Sequence, residues 1–173
     1  MSKKILLGHG VFKINGTPVG LTRGGGQFVV EREIRNIEAD GDMGPVKERI
    51  TIDKSVPKLT VNALEVISDN LPKMYAGISE SSAEGSVDLS GTTKKITGKS
   101  KIEAEDYQTN VTWIGKTKGG KGVRITIKNA INLENFDWTL ADKDEVVAAL
   151  TYTGCYDEGS NVEPWDVEYE VEE

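Results

Sequence analysis

One cysteine, one histidine and five prolines are all that the 173 residues hold of the types that build disulfides, soft metal centres and rigid turns. Cys155 alone excludes a disulfide or a cysteine metal cluster within one chain. Lying in VVAALTYTGCYD, it reads as a small buried residue. His9, between Gly8 and Gly10, has no second histidine with which to share a metal or build a serine triad. Aromatics are only 6% of the chain, which leaves few stacking platforms for a monomeric carbohydrate-binding module. No apolar run approaches the roughly 20 residues of a spanning helix. The opening MSKKILLGHGVFKING has a charged head but too short an apolar segment for a signal peptide, so synthesis in a cytoplasm and no membrane insertion are expected. With a net charge of −7 the chain lacks the basic excess that grips a phosphate backbone. That does not exclude a protein that handles DNA without gripping it.

Catalytic signatures are equally scarce. Gly115, Gly120 and Lys121 have the spacing of a P-loop, but Gly122 stands where Ser or Thr would hold magnesium, and a strand rather than a helix follows. Asp40 and Asp42 lack the further oxygen ligands of a calcium loop. The sequons at Asn15 and Asn110 need a secretory route that the sequence does not offer. The chain is read as not an enzyme, with no cofactor and no metal.

What the sequence does contain is strand pattern. Residues 26–53 read as one long β-hairpin. Phe28, Val30 and Ile34, with Val46, Ile50 and Ile52 on the return, form its apolar side. Gln27, Glu31, Glu33 and Arg35, with Lys47, Arg49 and Asp53, form its polar side, which Val29 interrupts. Between the arms lie Asp40, Gly41, Asp42, Met43, Gly44 and Pro45, the loop candidates for reaching a neighbouring subunit. The register leaves Ile34 opposite either Ile50 or Ile52. A hairpin this long cannot stand alone in water, so its own domain or a second subunit must support it.

Around it, residues 5–14 and 17–22 form a small hairpin turning at Asn15-Gly16, and residues 58–63 a further strand. A short helix is expected over residues 68–76, capped from Ser68, Asp69 and Asn70. Residues 79–97 read as loops with one strand near 86–89. Strands are expected over 99–105, 108–116, 123–127, 129–140, 145–155 and 165–171. The fold class is mainly β: one domain over 1–173, an antiparallel sandwich or barrel with one short α-helix and the long hairpin. Charge is uneven. Basic residues dominate 94–128, no Lys or Arg follows Lys143, and the segment 157–173 is acidic. These are either solvated surfaces or complementary surfaces of neighbouring copies.

The run GVFKINGTPVGLTRGGGQFVVEREIRNIEADGDMGPVKERITID, then LEVISDNLPKMY and DEVVAALTYTGCYD, resembles the tail tube (major tail) proteins of tailed bacteriophages over about residues 10–157. The resemblance implies a structural subunit forming stacked hexameric rings, whose inner strands join into one barrel around a lumen. DNA would transit that lumen without sequence-specific binding. It further implies partners in a tape measure protein and tail-end proteins, and a place in the virion tail after assembly in the host cytoplasm. On that reading the polar side of the hairpin lines the lumen. The tube of a contractile injection or type VI secretion-like system is the related alternative.

Overall fold

Asn15 and Gly16 both take positive φ, 49° and 81°, and so close a two-residue turn between β1 (Leu6–Ile14) and β2 (Thr17–Pro18). The chain then forms β3 (Thr22–Asn36), β4 (Ile50–Ala63), the one-turn helix α1 (Leu71–Met74), β5 (Ile78–Ser86) and β6 (Leu89–Gly98). A 3-10 turn (Ala104–Asp106), β7 (Gln108–Thr117), β8 (Gly122–Asn132), β9 (Ala148–Gly154) and β10 (Trp165–Tyr169) complete it. This computed structural model describes residues 3–86 and 88–171. The fold is mainly β and antiparallel, with one short helix and a long hairpin.

The main sheet runs β2-β1-β7-β8-β9-β4-β3, and β10 also pairs with β8. Strand β8 is where the sheet divides. Its residues 123–127 pair with β10, its residues 130–132 pair with β9, and between them Asn129 bends the backbone at a φ of 47°. Strands β9, β4 and β3 thus leave the plane of the others and pack across it. Phe12 and Ile14 of β1, Val111 and Trp113 of β7 and Ile127 of β8 share one buried core with Leu59, Val61, Leu150 and Tyr152 of the second layer. At Gly26 of β3 the second layer comes close against Phe12 of the first. A Cβ there would lie 2.5 Å from Phe12 Cζ and 2.4 Å from the Thr60 carbonyl oxygen.

Several expectations are corrected. The long hairpin is β3–β4, Thr22 to Ala63, rather than residues 26–53. The expected separate strand over 58–63 is the continuation of β4, and Pro57 is tolerated inside it one residue outside the stretch paired with β9. Helix α1 is four residues long. Asn70 occupies its N-cap position without capping, because its Nδ2 donates to the Pro18 carbonyl at 2.7 Å. Residues 79–97 are a hairpin, β5–β6, instead of loops. Its turn falls where a strand was expected near 86–89, with Val87 outside the described residues. Both its faces are largely exposed, so it has no amphipathic alternation to betray it. Residues 99–105 are bends and the start of the 3-10 turn. Lys99 is held there by Glu103, Glu105 and Asp106, an arrangement that an extended chain could not make. Beyond Asn132 the expected strand over 129–140 stops, and residues 133–147 form an irregular crossing loop.

Candidate functional site

The distal half of β3–β4 has few partners in its own chain. Near its root Phe28 packs on Trp165, ring centroids 5.7 Å apart, Arg32 reaches Glu163 at 3.2 Å, and the Tyr156 hydroxyl donates to the Ser55 carbonyl at 3.0 Å. Farther out Ile34, Ile50 and Ile52 are all more than half exposed. The register places Ile34 opposite Ile52, and a bulge inserts Asp53 as an extra residue between Ile52 and Lys54. Of the two expected supports, the chain's own domain serves at Phe28 and gives way past Arg32.

Of the polar-side candidates, Gln27, Glu31, Glu33 and Arg35 do share one face of β3, opposite Thr60, Val56, Lys54 and Thr51. Asp53 meets them through Arg35. Lys47 and Arg49 do not join this face; they lie in the connection 37–49, where Arg49 Nη1 donates to Asp42 Oδ2 at 2.8 Å. The cations that do face the acids were missed from sequence. Lys58 pairs with Glu31 at 2.8 Å and Lys54 with Glu33 at 3.4 Å, while Arg35 pairs with Asp53 at 2.8 Å. The bulge at Asp53 switches which residues of β4 point to this side, and Lys54 and Lys58 lie beyond residue 53, where the hairpin was expected to end. Acid and base therefore alternate and neutralise one another along the face.

The loop candidates Asp40, Gly41, Asp42, Met43, Gly44 and Pro45 all fall in the 37–49 connection and are exposed. Asp42 organises it: its Oδ2 accepts from the Ala39 amide at 2.8 Å as well as from Arg49, and the Ile37 amide donates to the Arg49 carbonyl at 2.9 Å. Met43, fully exposed, stands at its tip.

At the opposite end of the sandwich, Tyr75, Phe136 and Trp138 stack with successive centroid distances of 4.5 and 4.8 Å, anchoring loop 133–147 over α1. Burial pushes the Tyr75 hydroxyl pKa up. Phe136 and Trp138 also wall a cleft of about 410 Å³ with Ile67 and Ile96.

The uneven charge of the sequence is partly resolved within one subunit. Acidic β10 lies along basic β8, where Glu168 pairs with Arg124 and Asp166 with Lys128, and Glu170 accepts from the Gly122 amide at 2.7 Å. Glu172 and Glu173 lie outside the described residues. The Gly115 to Lys121 segment ends β7 and turns into β8, with the Thr117 amide donating to the Lys121 carbonyl at 2.8 Å. Cys155 is half-buried, which pushes its thiol pKa up. Among the described residues no group of His, Cys, Asp and Glu is placed to hold a metal, and no helix is long and apolar enough to cross a membrane. No family model matches the chain, and no curated protein matches it in sequence.

Proposed function

We propose that this chain is a non-enzymatic, self-assembling structural subunit of the tail tube type, forming rings that stack into a hollow conduit for DNA. The observation that carries the proposal is the distal β3–β4 hairpin, which exposes Ile34, Ile50 and Ile52 on one side and a neutralised ionic ladder on the other. Uncovered isoleucines on a two-stranded arm are costly to a monomer and useful to an assembly. Joining such arms from several copies into one barrel covers both the side chains and the free edge of β3. The sequence resemblance supplies the hexameric ring, the passage of DNA, and the tape measure and tail-end partners. An ionic ladder with acid and base in equal number gives DNA phosphates no continuous basic track to adhere to.

Negative-stain electron microscopy of the purified protein tests this reading. Rings or tubes with a central channel are the expected result. Uniform small monomers at high protein concentration overturn it.

A further inference from the structure

Past the two ends of strand β8 stand groups of opposite charge that have no ion-pair partner among the described residues. At its start, the β7–β8 turn and the N-terminal segment bring Lys3, Lys4 and Lys121 around a cleft of about 530 Å³. Its floor is apolar: Leu6, Val123, Tyr169 and Val171, of which Tyr169 is 70% exposed. Among the described residues the one carboxylate in the lining, Glu170, is already engaged by the Gly122 amide. None of the three lysines has an ion-pair partner among the described residues.

Past the other end of β8 runs loop 133–147, anchored by Phe136 and Trp138. It exposes Glu134, Asp137 and Asp142, none of them in an ion pair among the described residues, against the single cation Lys143, beside Leu133 and the 81% exposed Leu140. Asp144 and Glu145 are taken up by Arg23. The two surfaces lie past opposite ends of the eleven-residue strand β8, at most about 35 Å along the chain and less across its bend at Asn129, and are not paired with each other within one copy.

We infer that the Lys3, Lys4 and Lys121 cleft of one copy receives loop 133–147 of a second copy, with Leu140 or Leu133 on the apolar floor and Glu134, Asp137 and Asp142 at the lysines. The occupant is a second copy of this chain because its loop 133–147 matches the cleft in both respects: carboxylate with lysine, and apolar side chain with apolar floor. The contact is head-to-tail, so it does not close on a dimer but propagates along the direction of β8. It rests on the self-assembly part of the function proposed above, for which it names the stacking contact, and not on closure of a tube.

The experiment is a charge swap read by sedimentation velocity. One variant carries Lys3→Glu, Lys4→Glu and Lys121→Glu; the other carries Glu134→Lys, Asp137→Lys and Asp142→Lys. Each alone faces like charge with like, and its association constant is expected to fall at least about tenfold below that of the unmodified chain. Mixed in equal amounts they present opposite charges again, and association returns. A milder pair, Lys4→Gln and Asp142→Asn, is expected to give the same losses on a smaller scale with the fold undisturbed. Monomeric behaviour of the unmodified chain at every concentration, variants that associate like it, or a mixture no better than its parts each overturns the inference. Microscopy of the same samples separates the two proposals: channelled tubes from both variants sink the stacking contact alone, whereas charge-dependent filaments without a channel sink the tube alone.

Discussion

Arg35 Nε donates to Asp53 Oδ2 at 2.8 Å, and Asp53 is the extra residue of the bulge that divides strand β4. The pair thus clamps the hairpin where its pleat reverses. Below it Glu33 faces Lys54, above it Ile34 faces Ile52, and Thr51 adds a hydroxyl donor to Asp53 Oδ1 at 3.1 Å.

A pH dependence follows from that clamp. The hydrogen bond from Arg35 holds the Asp53 carboxyl below its ordinary range. A depressed pKa in the folded state contributes order that is fully present above the ordinary carboxylate range and is lost as pH falls through the folded value. Amide protection in residues 33–36 and 50–54, taken relative to the intrinsic exchange rate at each pH, should fall in that acid window. In Arg35→Gln, protection should be lower already at neutral pH and its acid dependence weaker. Identical acid profiles in the two proteins would remove the clamp.

Gly26→Ala should destabilise the sandwich by about 1–3 kcal/mol, the usual cost of overpacking. The backbone conformation at Gly26 does not require glycine; the obstacle is the space taken by Phe12 and the Thr60 carbonyl. Phe12→Leu in the same chain should recover part of the loss, because it vacates the ring but leaves the carbonyl. Urea unfolding midpoints of the two variants give the comparison.

These two sites also show what was legible in the sequence. Alternation at 59, 61 and 63 correctly picked out the buried side chains of β4, whereas over 26–34 it sorted the faces but not the burial: Val29 is half-buried like Phe28 and Val30, and Ile34 is exposed. Nothing in composition marks where the return strand begins and ends: it starts at Ile50, so Lys47 and Arg49 fall outside it, and it runs on to Ala63, so Lys54 and Lys58 belong to the hairpin. Hairpin β5–β6 escaped for a different reason: a ribbon wet on both faces lacks the period-two contrast by which strands are recognised. The opposed charges at the ends of β8 could not be read at all, since Lys3, Lys4 and Lys121 meet only after folding.

Lys99→Met should loosen the second arm. The Lys99 ammonium lies 2.7 Å from Glu105, 3.1 Å from Glu103 and 3.5 Å from Asp106, and the Lys99 amide donates to the Gly77 carbonyl at 2.7 Å. Asp106 in turn accepts from the Gly77 amide at 3.1 Å. The two ends of β5–β6 are therefore tied to one acidic turn through a single cation. With the cation removed, three carboxylates face one another and the base of the arm opens. Amides of residues 78–86 and 89–98 should exchange faster in the variant while those of β7 and β8 keep their protection. Uniform protection across both regions would show that the backbone bonds hold the arm unaided.

The uncovered isoleucines give the sharpest separation of folding from assembly. Ile34→Thr with Ile52→Thr keeps β-branched side chains at both cross-strand positions, so strand propensity is retained. Both side chains are more than half exposed in the isolated subunit, and exposed substitutions usually change stability by no more than about 0.5 kcal/mol each. Urea unfolding of the monomer should therefore move little. In an assembly that covers them, the same exchange removes apolar contact from every subunit interface at once, and the concentration needed for assembly should rise at least about tenfold. Light scattering against protein concentration reads this directly. If assembly is unchanged, the isoleucines are solvent-facing in the final structure and the arm joins its neighbours by its other side. If instead the monomer unfolds more easily, the arm folds back on its own chain in solution and the hairpin is a closing flap.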